Sequence, residues 1–363
     1  MPDLEHQADL PEGASSLSVD PAANADTPAI KRPAPRRRDL TIDDFVQGVE
    51  RGDRAILARA ITLIESSNEQ HQRTAREVLT RLMPRTGSSL RLGITGVPGV
   101  GKSTFIDKFG MQRLAEGRKV AVLAVDPSSN VTGGSILGDK TRMAQLGRAD
   151  HAFIRPSPAG QTLGGVASKT RETMLLCEAA GFDLIIIETV GVGQSETMVA
   201  EMTDVFLALM LPGAGDELQG IKRGLIELAD LLAVNKADGD RVPAAQLAAS
   251  EYRTALRCMQ QRHPDWPTPV LTCSAHTGDG LDQLWRKITA YHALLESDGS
   301  LAARRQSQNL NWMWQQVDDR LRRLLRDHPS VRDITADIEH QVTAGQLPPT
   351  AAADRILDAF AGR

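Results

Sequence analysis

Six short aliphatic runs recur between residues 90 and 275: "LRLGIT", "KVAVLAVD", "DLIIIET", "DVFLALML", "LLAVNKAD" and "PVLTCSA". Stretches with helical spacing separate them. A strand with one wet face alternates apolar and polar residues, whereas a run that is apolar throughout must be covered on both faces. The pattern predicts an α/β fold, a doubly wound, mostly parallel sheet with crossover helices, spanning 87–294. Apolar residues make up 41% of the chain but aromatics only 4%, so aliphatic side chains must fill this core.

The flanks read differently. Residues 1–40 are rich in Pro, Ala, Ser and Asp without periodicity, which predicts a disordered tail. It closes on Lys31, Arg32, Arg36, Arg37 and Arg38, a solvated linker or a contact for an acidic partner or nucleic acid. Residues 41–86 read as a helical N-terminal subdomain. Thr41 with Asp44 resembles a capping box, and Ile56, Leu57, Ala60, Ile61 and Ile64 follow at helical spacing. Residues 295–363 are helical again, and Leu310, Trp314, Val317, Leu321 and Leu324 form a heptad-like seam. A second copy would bury such a seam, so this stretch is expected to be a dimerisation arm rather than a helix packed only on its own domain.

No apolar run approaches the roughly 18 residues of a membrane span. Asp3, Glu5 and Asp9 and the lack of an apolar h-region argue against a targeting segment. The net charge of −4 gives no reason to expect nucleic acid as a partner. Cys177, Cys258 and Cys273 form no CxxC pair, which suits a reducing cytoplasm, and all three are expected to be buried small hydrophobes.

"GVPGVGKST" follows the first run and precedes a helical stretch. It matches the phosphate-binding loop G-x-x-x-x-G-K-[ST], which refines the fold to a P-loop NTPase with helical N-terminal and C-terminal extensions. Gly96 opens the motif. Gly99, Val100 and Gly101 would turn backbone N–H groups toward phosphate oxygens, and the helix N-terminus adds positive potential. Lys102 would reach the β- and γ-phosphates, Thr104 the α-phosphate, and the Ser103 hydroxyl would ligate Mg²⁺. Mg²⁺ needs further oxygens, and acids at the C-terminal ends of neighbouring strands are the candidates: Asp126, Glu188 and, in the loop "GGSILGDK", Asp139.

"NKAD" ends another run and lies about 130 residues after the P-loop. The Asp238 carboxylate can accept from N1–H and N2–H₂ of guanine. Adenine has no donor at either place and would leave a buried acceptor unpaired, at roughly 1–3 kcal/mol. Asn235 belongs to the same motif, and the stem of Lys236 can cover the base. Ser274 and Ala275, in "CSAH", sit where a backbone N–H, that of Ala275, could meet guanine O6. GTP is therefore expected over ATP. In "ETVG", Gly191 should contact the γ-phosphate, so Lys102, Glu188 and Gly191 form the expected catalytic set. The next position, where Ras-type enzymes hold a water-orienting Gln, is Val192, and Gln194 lies two residues further on. Slow intrinsic hydrolysis, raised by a partner, follows.

Taken in order, "GVPGVGKST", "DPSS", "GGSILGDK", "ETVGVGQSE" and "NKAD" resemble the methylmalonyl-CoA mutase-associated GTPases, the MeaB/ArgK family of the SIMIBI class. The resemblance covers about residues 45–330. It implies a G-protein chaperone of an adenosylcobalamin-dependent acyl-CoA mutase that gates cofactor loading and protects or reactivates the mutase. It further implies a homodimer through the C-terminal helices and metal roles for Asp126, Asp139 and Glu188. A nucleotide-responsive loop, switch III, falls on "LPGAGDELQGIK" with Asp216, Gln219 and Lys222 at its functional positions. The strand "DVFLALML" is expected beside the sensor strand "DLIIIET", so that this loop emerges near the γ-phosphate. No DxHxxG motif is present, so cobalamin is not expected to bind by that route. The alternative is a metallochaperone GTPase for metalloenzyme maturation; the isolated cysteines and the lack of a His-rich tract weigh against it. A ribosome- or targeting-type GTPase has only the basic tail in its favour.

Overall fold

The computed structural model describes residues 40–125, 143–156, 163–189, 195–212 and 222–362. The tail expected over 1–40 lies outside these residues up to Asp39. Three helices come first: α1 (Ile42–Glu50), α2 (Arg54–Glu65) and α3 (Glu69–Leu82). Each starts at a side chain that accepts from free first-turn N–H groups, namely Thr41, Asp53 and Asn68. The Thr41–Asp44 pair is a full capping box: Asp44 N donates to Thr41 Oγ1 at 3.1 Å, and Thr41 N to Asp44 Oδ2 at 2.9 Å.

Seven parallel strands follow: β1 (Leu90–Gly96), β2 (Val120–Val125), β3 (Ala152–Arg155), β4 (Leu184–Thr189), β5 (Val205–Met210), β6 (Leu231–Val234) and β7 (Val270–Thr272). Their order is β3-β2-β4-β1-β5-β6-β7. Six coincide with the aliphatic runs. The seventh, β3, has four residues at the sheet edge and ends in a half-exposed Arg155, too short and too polar to stand out by composition.

The order corrects one expectation. Strand β5 does not run beside the sensor strand β4, because β1 lies between them and pairs with both. The strand that leads into the P-loop is the centre of the sheet, with β4 and β5 on opposite sides of it.

Alternation assigns the two faces. Ile185 and Ile187 of β4 join Ala121, Leu123 and Val125 in a core shared with α1–α3 and α5 (Leu163–Ala179). Leu184 and Ile186 join Leu92, Ile94, Val120 and Val122 under α4 (Lys102–Ala115) and α9 (Leu281–Ser297). The N-terminal helices thus bury one face of the sheet, with Leu57, Ile61 and Ile64 pointing inward. A third core joins β5–β7 to α8 (Val242–Arg257). On β1, Gly93 admits α6 (Ser195–Ala200): a Cβ there would lie 2.6 Å from the Phe206 ring and 3.0 Å from Val199 Cγ1. Short α7 (Lys222–Leu228) precedes β6.

Helix α10 (Ser300–Asp327) is fastened at the end of the sheet opposite the P-loop. Arg305 donates to both oxygens of Asp204 at 2.8 and 2.7 Å, and Asp204 also accepts from the backbone of Arg91 at 2.9 Å. Arg304 lies 3.4 Å from Asp230, which accepts from Tyr291 Oη at 2.9 Å. Beyond these clamps Gln308 donates to Thr203 O at 2.9 Å and Arg171 lies over the Trp312 ring, but the outer face of the helix is uncovered. The expected seam of Leu310, Trp314, Val317, Leu321 and Leu324 is exposed, Trp314 by 61%. Helices α11 (Pro329–Thr343) and α12 (Pro349–Ala361) pack on each other through Ile338, Leu347 and Ala352.

Cys177 and Cys273 are buried as expected, but Cys258 is exposed, because it sits at the end of α8 where the chain turns to solvent. No described helix is long and apolar enough to cross a membrane.

Burial alone would raise the Asp204 carboxyl, but hydrogen bonding from Arg305, with His292 and Arg91 nearby, holds it at about 2. A depressed carboxylate contributes stability that is complete above its unfolded value near ~3.9 and is lost as pH falls through its folded value. The melting temperature is therefore expected to fall between pH 4 and 2, and Asp204→Asn should flatten that part of a thermal-melt profile while lowering the melting temperature at pH 7.

Candidate functional site

The P-loop runs from the C-terminal end of β1 into α4. Gly99 and Gly101 take φ of 78° and 92°, the left-handed region that side chains resist. At Gly101 space is also limiting: a Cβ would lie 3.2 Å from Asn235 Nδ2 and 4.0 Å from Lys236 Cε. Gly101 caps α4, whose first turn contains Lys102, Ser103 and Thr104, so three predicted ligands stand at one helix N-terminus. Lys102 Nζ donates to Gly96 O at 2.6 Å. Burial lowers the Lys102 ammonium from its ordinary value, and Glu188 and Glu196 oppose that shift.

Register explains how the remaining motifs arrive. Glu188 pairs across the sheet with Ile94, two residues before Gly96, and is 7% exposed. Thr189 Oγ1 donates to Thr95 Oγ1 at 2.9 Å, joining the ends of β4 and β1. On the other flank Val234 pairs with Thr272, which brings "NKAD" and "CSAH" side by side.

Asn235 ties three loops together. Its Nδ2 donates to Val100 O at 2.8 Å, while its Oδ1 accepts from Ala275 N at 3.0 Å. Lys236 is the only non-glycine described residue with positive φ, 61°, a strained conformation of the kind that collects at ligand sites. It lays the lysine stem along Gly101, the position needed to cover a base. Ser274 Oγ donates to Asp238 Oδ2 at 2.5 Å and accepts from Thr277 N at 3.1 Å, which fixes the carboxylate.

These side chains border a cleft of about 460 Å³ lined by Gly101, Thr104, Asn235, Lys236, Asp238 and Ala275. Gly239, Asp240, Arg241 and His276 also line it. Sequence reasoning gave these four no role, although Gly239, Asp240 and Arg241 come straight after "NKAD" and His276 ends "CSAH". One detail differs from expectation. The Ala275 N–H donates to Asn235 Oδ1 at 3.0 Å, so the donor expected for guanine O6 is already engaged by the amide.

Other expected residues are not brought into view. Asp126, Asp139, Gly191, Asp216 and Gln219 lie outside the described residues, and Lys222 is the first residue of α7. Among the described residues no three His, Cys, Asp or Glu side chains cluster as a metal site.

A parallel sheet with its central strand feeding a P-loop, and a second loop pair carrying NKxD, defines the P-loop NTPase class. The match to a family model narrows this. The chain belongs to the family described as "Methylmalonyl Co-A mutase-associated GTPase MeaB", whose model matches residues 57–330. A Caulobacter vibrioides protein named as a GTPase is 59% identical over 322 residues, covering 88% of this chain and 98% of its own. The Mus musculus "Methylmalonic aciduria type A homolog, mitochondrial" is 44% identical over 332 residues, covering 89% of this chain and 80% of its own. A solved structure of a LAO/AO transport system kinase is similar with a TM-score of 0.70 and 39% identity, covering 88% of this chain and 98% of its own.

Asp238→Asn replaces one acceptor by a donor that xanthine O2 can use. Competition binding is expected to show at least about tenfold weaker binding of GDP and improved binding of xanthosine diphosphate; unchanged preference would remove Asp238 from the base site.

Proposed function

We propose that the protein binds and hydrolyses GTP and acts as a G-protein chaperone of an adenosylcobalamin-dependent acyl-CoA mutase, gating cofactor loading and protecting or reactivating the mutase. The nucleotide half is carried by one observation: the Asn235 amide joins the P-loop to the base loops, and the Ser274-held carboxylate of Asp238 lines the resulting cleft. The mutase half rests on family membership and on the mutase in the family's name.

In this reading the P-loop amides and Lys102 hold the phosphates and stabilise the charge that develops on the leaving group. Asp238 and Lys236 hold the base. Ser103, Asp126, Asp139 and Glu188 form the Mg²⁺ set; a hydroxyl with carboxylates is the hard oxygen set this ion takes. Of these, Ser103 lies in the first turn of α4, and buried Glu188 is the penultimate residue of β4 next to the P-loop strand, consistent with that use. Mg²⁺ there would neutralise β- and γ-phosphate charge. Gly191 senses the γ-phosphate, and Val192 in place of a water-orienting Gln keeps intrinsic turnover slow. Asp216, Gln219 and Lys222 form switch III, which reports the nucleotide state to the mutase.

The C-terminal arm (295–363) forms the homodimer. Its exposed seam supports this, as does a neighbouring groove of about 620 Å³ lined by Met83, Trp312, Met313, Val317 and Arg320. The remaining assignments are a helical N-terminal subdomain over 41–86, a G domain over 87–294 and a cytoplasmic location.

The test is to mix the protein with candidate cobalamin-dependent mutases and follow GTP turnover and complex formation by gel filtration. One mutase should bind and raise turnover by tenfold or more, on the order of 1.4 kcal/mol of transition-state stabilisation. Lys222→Ala should keep nucleotide affinity and lose most of this stimulation. No complex and no rate change with any of them would refute the chaperone role while leaving the GTPase assignment intact.

A further inference from the structure

We infer that His276 is a specificity-determining residue: its imidazole donates to guanine O6, the bond that the Ala275 backbone leaves unmade. The inference rests on the nucleotide reading above and deepens it, by naming the side chain that completes the recognition of the base.

Guanine presents two donors, N1–H and N2–H₂, beside one acceptor, O6. The donors match the Asp238 carboxylate. An acceptor that gives up water on entering a cleft and gains no donor costs binding energy, so O6 needs a partner as well. The Ala275 N–H is already spent on Asn235 Oδ1, and that amide is held from two further directions. Its Nδ2 donates to Val100 O at 2.8 Å, and Cys273 Sγ donates to the same Oδ1 at 3.8 Å. Turning the amide to release Ala275 would also break its bond to the P-loop.

The next residue along the loop is placed and equipped for the role. His276 lines the same cleft as Lys236 and Asp238. Its ring makes no hydrogen bond or ion pair with any described residue, so its N–H is available. The turn that carries it is pinned on every other side. Ser274 N donates to Asp279 O and Gly278 N to Ser274 O, both at 2.9 Å, and Thr277 Oγ1 donates to Asp279 Oδ2 at 2.7 Å. Gly280, with φ of 77°, closes the turn where a Cβ would press on Thr272 O. Ala275 and His276 are thereby held at the tip, while the Ser274 hydroxyl reaches Asp238 Oδ2 at 2.5 Å. One short loop thus fixes the carboxylate that meets the two donors of guanine and, two residues on, offers a donor for its acceptor. An imidazole keeps at least one N–H in every protonation state it takes in water, so the donor is always present.

His276→Ala removes the donor, His276→Phe removes it but keeps a ring, and His276→Gln supplies an amide N–H instead. Fluorescent-nucleotide competition is expected to show GDP binding roughly 5- to 30-fold more weakly to the Ala and Phe variants, with most of the loss recovered by Gln. ADP, which has no O6, should bind all four proteins alike. The contact itself is read with 6-thioguanosine diphosphate, whose sulfur is a poor acceptor. It should bind the wild type several-fold more weakly than GDP, yet bind His276→Ala as well as GDP does, because the bond it weakens is already gone. That comparison is made within each protein, so a general loss of stability cancels. Wild-type GDP affinity in His276→Ala would overturn the inference. So would wild-type affinity in His276→Phe, which would make the residue a cover for the base, or thio and Ala losses that simply add. If the wild type does not prefer guanine, or Asp238→Asn leaves the preference unchanged, the nucleotide reading fails and this inference fails with it. If guanine is preferred, Asp238→Asn alters the preference and the His276 variants bind like the wild type, only this inference fails.

Discussion

The side-chain amide of Asn235 is the contact on which the site depends. It donates to the carbonyl of Val100 and accepts from the N–H of Ala275, so one planar group sets the spacing between the phosphate loop and both base loops. All three segments lie at the C-terminal ends of β1, β6 and β7, where a parallel sheet collects its ligands. The bridge is buried, and an amide that lost either partner there would carry the cost of an unsatisfied polar group. Gly101 must be glycine for the same reason, since a Cβ would press on Asn235 Nδ2. The loops are therefore matched to one another as well as to a ligand.

The opposite end of the sheet has the complementary task. Buried Asp204 and Asp230, at the N-terminal ends of β5 and β6, accept from the backbone of neighbouring strands and from Arg305, Tyr291 and Arg304. The clamps fix the base of α10 while its distal half carries an uncovered apolar seam. The proposed nucleotide cleft and the base of the helix that bears the exposed seam are thus mounted at opposite ends of one sheet, with β1 running between them.

Much of this was legible in the sequence because the signals were local. Six of the seven strands announce themselves as unbroken aliphatic runs, and the P-loop and "NKAD" have fixed spacing and meaning. Thr41 and Asp44 specify a helix start within four residues. What escaped depends on partners far apart in the chain. Strand β3 is recognisable only by pairing with β2. The order that separates β4 from β5 is a property of the sheet, because adjacency in sequence says little about which strand takes the centre. The engagement of Ala275 by Asn235, and of Asp238 by Ser274, each join residues some 40 positions apart. Exposure of Cys258 follows from where α8 happens to end.

Everything proposed for this chain presupposes that the cleft selects guanine. Calorimetric titration of the purified protein with GDP and, separately, ADP in the presence of Mg²⁺ tests this directly. GDP is expected to bind at least about tenfold more tightly than ADP, since adenine would leave the Asp238 carboxylate without its donors, at roughly 1–3 kcal/mol or more. Equal affinities, or a preference for ADP, would contradict the account.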